Sequence, residues 1–173
     1  MSTTPGAFQT TNLAIGTQAV VARWDKSSGT WTFQTSLGYL SAVSCPTATD
    51  CMAVGESNGA TLTELWNGTT WSIEPTLQPS GATSSALTSV SCASPTACTA
   101  VGNFVNAVGV QQTLAEQWND TTWSAPSLPP EPTGATTSTL TSVSCTSATT
   151  CTAVGDYVNS SGIQQTLAES YNG

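Results

Sequence analysis

The sequence predicts an all-β protein assembled from repeated small antiparallel sheets, and three observations carry that prediction. Of the 173 residues, 32 are Thr and 23 are Ser, a hydroxyl content far above ordinary usage and suited to exposed strands and turns. The chain matches itself at intervals of 47 residues, from Cys45 to Cys92, and 53 residues, from Cys92 to Cys145. Its six cysteines form three pairs of one spacing, Cys45 with Cys51, Cys92 with Cys98 and Cys145 with Cys151, each with five residues between. The length suits one domain, residues 1–173, with a sizeable core.

The internal copies are close. Leu87 to Gly109 reads LTSVSCASPTACTAVGNFVNAVG and Leu140 to Gly162 reads LTSVSCTSATTCTAVGDYVNSSG; the match continues through QQTLAEQWND (Gln111 to Asp120) and QQTLAESYNG (Gln164 to Gly173). An earlier copy reads LSAVSCPTATDCMAVG (Leu40 to Gly55) and TLTELWNGTTW (Thr61 to Trp71). A degenerate copy opens the chain, with NLAIG (Asn12 to Gly16) where the others have TAVG, then VVARWDKSSGTW (Val20 to Trp31). That copy lacks the Cys pair and the strand before it.

Each full copy predicts four short strands. The first ends at the leading Cys (LTSVSC) and the second starts at the following Cys (CTAVG), so the residues between them form a hairpin that a disulfide would clamp. The third is TLAEQW. It turns through WNGTTW, where Asn67 and Gly68 supply the positive backbone angles of a tight hairpin; Asn119 and Asp120 repeat this, and Asp25 to Gly29 is a longer version. The fourth is TTWS with its neighbours. Clusters of Pro, Gly and Ser at Gln78 to Ser85 and Leu128 to Ser138 separate the copies. The expected units are a partial blade at 7–37, blades at 38–79 and 80–133, and a partial blade at 134–173, with fourteen strands in all. One small sheet cannot bury both faces and must stack on a neighbour, so the fold class is a β-propeller-like array of four-stranded antiparallel blades. It has about three and a half blades and one disulfide per complete blade. A parallel β-helix would use shorter coils, and a β-sandwich would not repeat near-identical units.

The pattern SVSC, five residues, C-x-AVG, a variable loop and TLAExWNGTTW resembles tandem repeats of secreted bacterial proteins that are read as disulfide-clamped β-propeller blades. The resemblance covers nearly the whole chain and implies the fold. It implies no function, because propellers host lectins, hydrolases, scaffolds and docking platforms. The last copy lacks a fourth strand while the first already has its own, so one terminus does not complete the blade begun at the other. A four-bladed ring with two incomplete blades, a stretch of a longer propeller, and an assembly in which another chain covers the open edges all remain open.

With no His and no CxxC, disulfides are the better reading of the cysteines, and no zinc site or other metal is expected. Each seven-residue loop closed by a bridge contributes about 2 kcal/mol. Such bridges persist in an oxidising compartment, so the expected location is extracellular or cell-surface. Met1 to Thr11 shows no secretion signal, and no apolar run is long enough to span a bilayer as a helix. Net charge is −8, with only Arg23 and Lys26 basic. Nucleic-acid binding is therefore excluded as an expectation and anionic membranes are disfavoured.

Tryptophans recur in pairs: Trp24 with Trp31, Trp66 with Trp71, Trp118 with Trp123, and Tyr171 at the last equivalent position. They read either as repeated core between blades or as a row of sugar-stacking platforms. Glu64, Glu116 and Glu169 stand two residues before the aromatic and so share its face. They would supply polar groups to a sugar, or else lie on a solvated strand face or hydrogen-bond neighbouring backbone. The loops between second and third strands offer Asn103, Asn106, Asp156 and Asn159, with Gln111, Gln112, Gln164 and Gln165 at their ends, as candidate contacts at one rim. Asn67, Asn119 and Asn159 head N-glycosylation acceptor patterns that arise readily in so hydroxyl-rich a chain.

Catalysis has little support: there is no His, the Cys are committed, no Ser or Thr has a Lys beside it, and the repeated carboxylates fall one per blade. No cofactor is expected. The leading expectation is a non-catalytic secreted or cell-surface binding module, glycan-binding or adhesive. The alternative is a self-assembling structural subunit, ring or extracellular filament, using incomplete terminal blades for inter-chain pairing; a carboxylate-based glycoside hydrolase is the remote third. Exposed Trp beside Glu or Asn would favour glycan binding, and buried Trp would favour assembly.

Overall fold

The computed structural model describes residues 8–11, 19–36 and 38–172. Among them, thirteen strands form four antiparallel sheets that follow one another along the chain. Sheet 1 holds β1 (Phe8–Thr11), β2 (Ala19–Asp25) and β3 (Thr30–Ser36). Sheet 2 holds β4 (Tyr39–Ser44), β5 (Cys51–Ser57), β6 (Ala60–Trp66) and β7 (Trp71–Ile73). Sheet 3 holds β8 (Ser84–Ser94), β9 (Ala97–Val105) and β10 (Gln111–Trp118). Sheet 4 holds β11 (Ala135–Ser147), β12 (Thr150–Asn159) and β13 (Gln164–Asn172). Every strand pairs with its sequence neighbour, as hairpin-built sheets require.

The repeated motifs translate directly into geometry. Three disulfides join Cys45 to Cys51, Cys92 to Cys98 and Cys145 to Cys151, and no cysteine is free. Cys92 faces Cys98, and Cys145 faces Cys151, as direct cross-strand partners. The glycine of each AVG lies where the first strand bulges. A Cβ on Gly55, Gly102 or Gly155 would sit 1.8, 2.0 or 1.9 Å from the carbonyl oxygen of Tyr39, Ala86 or Thr139, so no other residue fits that close backbone approach. Asn67 and Asn119 organise the WNGTTW-type turns, each Oδ1 accepting the backbone N–H groups two and three residues on.

Three expectations are corrected. The fourth strand of the third copy is no strand: Trp123 and Ser127 make only isolated bridges to Trp118 and Ala115. Pro126 has no N–H to donate, and Ser124 uses its Oγ, at 3.1 Å, to accept the Gln117 N–H that a regular ladder would give to a carbonyl. In the opening copy, the strand beside β2 is Phe8–Thr11, with Phe8 opposite Arg23; Asn12 to Gly16, expected to fill that place, lie outside the described residues. The second strands run longer than the CTAVG core, so Asn103 and Asp156 belong to β9 and β12 rather than to loops.

The sheets stack face to face in chain order, each junction holding one apolar cluster. Val21 of sheet 1 packs with Leu40, Ala53, Leu62 and Trp66 of sheet 2. Met52 and Val54 of sheet 2 pack with Leu87, Leu114, Trp118 and Trp123 of the third unit. Val101 of sheet 3 packs with Leu140, Val143, Ala153 and Leu167 of sheet 4. Burying each such side chain is worth about 1.5–3 kcal/mol. Hydroxyls stitch the first strands together: Ser44 Oγ accepts the Cys92 N–H at 3.0 Å, Ser89 Oγ the Val143 N–H at 3.2 Å and Ser91 Oγ the Cys145 N–H at 3.0 Å. The outward faces of sheets 1 and 4 do not cover one another, since Phe33 is 63% exposed and Val154 46%.

Candidate functional site

Of the repeated aromatics, Trp66, Trp71, Trp118 and Trp123 lie inside the junctions, while Trp31 and Tyr171 are exposed at 42% and 41%. Trp66, Trp118 and Trp123 are buried, and Trp71 is half-buried. Each pair meets ring to ring, with centroids 5.6 Å apart for Trp66 and Trp71 and 5.8 Å for Trp118 and Trp123. The Arg23 guanidinium of sheet 1 stands 5.6 Å from the Trp66 ring centroid, a cation–π contact across that junction. These rings pack sheets together and offer no row of sugar platforms.

The carboxylates share the aromatic face, as alternation requires, and that face is interior. Glu64 is buried and accepts the Ser36 Oγ–H of the preceding sheet at 2.7 Å. Glu116 is fully buried, and neither Oε has a hydrogen-bond partner among the described residues. Burial pushes its carboxyl up to about 8, so it is protonated at neutral pH. Glu169 is half-buried, and its carboxyl is raised by burial and by the nearby charge of Glu131. A solvated strand face is therefore corrected for Glu64 and Glu116.

The polar residues of the long hairpins hold those hairpins in shape. Asn106 Oδ1 accepts the N–H groups of Val108 and Val110, and Asn159 Oδ1 those of Ser161 and Ile163. Asn106 Nδ2 donates to Gln112 Oε1 at 3.2 Å. Asn103 and Gln111 reach the next sheet, where Asn103 Oδ1 accepts from Thr139 Oγ1 and Gln111 Nε2 donates to the Ser138 carbonyl. Asp156 is half-buried within β12, while Gln164 and Gln165 are exposed.

One cleft of about 250 Å³ opens between sheets 3 and 4. Thr99, Val101 and Gln117 form one wall, Leu140, Val143 and Tyr171 the other, and Ser127 to Pro130 lie at its edge. Tyr171 Oη donates to Gln117 Oε1 across it at 3.4 Å, and Glu169 lines it. Glu131 is held elsewhere, its Oε1 accepting the Thr113 N–H at 2.9 Å and the Thr113 hydroxyl at 3.0 Å. The cleft is the counterpart of the Trp-filled space one junction earlier. Thr99 stands for Met52, Gln117 for Leu65 and Tyr171 for Trp118, and no described residue stands opposite Tyr171 as Trp123 stands opposite Trp118. Of the sequence candidates, this cleft gathers only Glu169 and the aromatic position of Tyr171. The shrinkage from Met, Leu and Trp to Thr, Gln and Tyr was the signal that could have found it.

Among the described residues, no group of three or more His, Cys, Asp or Glu is placed to hold a metal ion, and no helix is long and apolar enough to cross a membrane. The three disulfides point to an oxidising environment. Neither the known family models nor the curated proteins yield a match to this chain.

Proposed function

We propose that the chain is a non-catalytic extracellular binding module, a propeller-like array of disulfide-clamped blades that adheres by associating with further copies of itself. The observation that carries this reading is a contrast in exposure. The repeated Trp66, Trp118 and Trp123 are spent on packing sheets, while sheets 1 and 4 each keep an open face with Phe33 and Val154 exposed. Exposed apolar side chains on open sheet faces favour association. The three clamps suit a module that works in an oxidising space outside the cell. Glu64 and Glu116 do not face one another, since Glu64 bonds Ser36 of sheet 1 while Glu116 is buried beside Trp118.

Light scattering under non-reducing conditions tests this reading. A mass that rises with concentration above that of the monomer is expected; a constant monomer mass up to millimolar protein contradicts it.

Glycan binding is favoured at one place, the cleft between sheets 3 and 4, where the Tyr171 ring meets Glu169 and Gln117 beside apolar walls. On that reading, oligosaccharides titrate the chain saturably and Tyr171→Ala abolishes the response. An unchanged response in the variant would remove the cleft as the sugar site.

A further inference from the structure

Resting on the self-association just proposed, we infer that its contact is a copy of the internal sheet junction: the outward face of sheet 4 receives the outward face of sheet 1 of a second copy. The argument starts from the face of sheet 3 that sheet 4 covers. Its central positions are Thr99, Val101, Ala115 and Gln117, with Thr99 and Val101 buried and the other two half-buried. The same positions on the outward face of sheet 4 are Thr152, Val154, Ala168 and Ser170, all exposed. Three of the four residues are identical, so sheet 4 presents to solvent the surface that sheet 3 buries. The exposed valine is the plainest mark of it, since Val54 is 0% and Val101 2% exposed where a following sheet covers them, against 46% for Val154.

Sheet 1 carries the complementary face. In the internal junctions the covering sheet contributes a first-strand leucine, Leu40, Leu87 or Leu140, for which sheet 1 has no described counterpart, and the apolar residues of its third strand, as Leu62 and Trp66 do in sheet 2. The equivalents in sheet 1 are Val20 and Trp24, both half-buried, with Ala22 between them buried beneath their face. Val21 and Arg23, which alternate with them, face sheet 2, so Val20 and Trp24 face away from it. The Trp24 and Trp31 rings stand together with centroids 5.4 Å apart, and Trp31 and Phe33 extend the face at 42% and 63% exposure. Thr32 and Gln34 line the space against sheet 2, which leaves the odd-numbered residues of β3 on the outside. Among the described residues, sheet 1 begins at the second-strand position, so the contact runs from β2 and β3 of one copy to β12 and β13 of the next. The exposed Ser142 and Ser144, counterparts of the serines that bind the next first strand, lie outside it.

The contact joins two different faces and is therefore head to tail. It closes into a ring if the rotation per copy permits and grows as a filament otherwise. A second copy is the committed occupant because the residues sheet 4 leaves exposed are those that sheet 3 buries, and sheet 1 of the same chain offers Val20, Trp24, Trp31 and Phe33 against them.

The test uses Phe33→Glu and Val154→Glu, two exposed positions. Each variant is first shown to keep the wild-type circular dichroism and three intact bridges. Sedimentation of each alone is expected to give monomer where the wild type gives larger species. An equimolar mixture is expected to give a one-to-one dimer, since Phe33→Glu keeps a competent sheet 4 and Val154→Glu a competent sheet 1. Wild-type assembly that survives both substitutions would overturn this contact and leave self-association standing. A wild type that stays monomeric would overturn both. Variants that stay monomeric when mixed would overturn the head-to-tail pairing.

Discussion

Between sheets 2 and 3, Met52 and Leu65 on one side meet Trp118 and Trp123 on the other, and the space is filled. Between sheets 3 and 4, Thr99 and Gln117 meet Tyr171 at the same positions, and a cleft of about 250 Å³ remains. The backbones that carry these side chains are nearly the same. Both use a disulfide-clamped hairpin, a bulge over a glycine, and serine hydroxyls that bind the next first strand. The hollow junction does not collapse because the first-strand contacts set the sheet spacing, and packed interiors do not relax freely into a void. In this protein the spacing of sheets is set near the first strands, and its filling is set further out by three or four side chains.

The largest expected difference between the junctions lies in their aromatics. Trp123→Ala should lower the unfolding free energy by about 3–5 kcal/mol, as large buried rings do, whereas Tyr171→Ala, at a 41% exposed position, should cost about 0.5 kcal/mol. Thermal and denaturant unfolding under oxidising conditions would read this. Equal costs would break the contrast between a filled and a hollow junction.

The buried carboxyl comes next. Glu116 sits in the filled junction with its carboxyl raised from 4.5 to about 8, so the folded state holds a proton that the unfolded state releases between those values. Its contribution is fully present below about pH 4.5, declines as pH rises, and is lost above about pH 8, a total on the order of 5 kcal/mol. Among the described residues, its sheet neighbours on the same junction carry no ion pair with it. Glu116→Gln should flatten the stability profile between pH 5 and pH 8; a profile that keeps its slope in the variant would assign the dependence to another group.

A smaller effect is expected from filling the cleft. Thr99→Met places in the hollow junction the residue that Met52 supplies to the filled one, and it should stabilise by about 1 kcal/mol. A loss of stability would mean that the contact of Thr99 Oγ1 with Cys151 Sγ, at 3.3 Å, matters more than the empty volume.

The units, their hairpins and their disulfides were legible in the sequence because each is local. Five residues between cysteines make a clamped hairpin, Asn-Gly makes a tight turn, and a repeat of about fifty residues makes a sheet that must stack. The opening copy was misaligned by a few residues because Phe8–Thr11 carries neither the Cys nor the AVG that mark a second strand elsewhere. The fourth strand of the third copy was lost to Pro126, whose missing N–H outweighed the Trp and Thr beside it. That Glu116 shares a face with Trp118 was legible; that this face is interior was not, because alternation gives sides and only the stacked neighbour says which side is covered. The cleft was hidden for the same reason, since it belongs to a pair of sheets and not to either one.

Hydrogen exchange followed from dilute to concentrated protein most directly tests whether the end faces repeat the internal junction. Added protection confined to β2, β3, β12 and β13 is the expected result, with the strands of sheets 2 and 3 unchanged. Protection gained instead at the 106–110 and 160–163 hairpins, or nowhere while the mass rises, would place the contact on another surface and contradict the account.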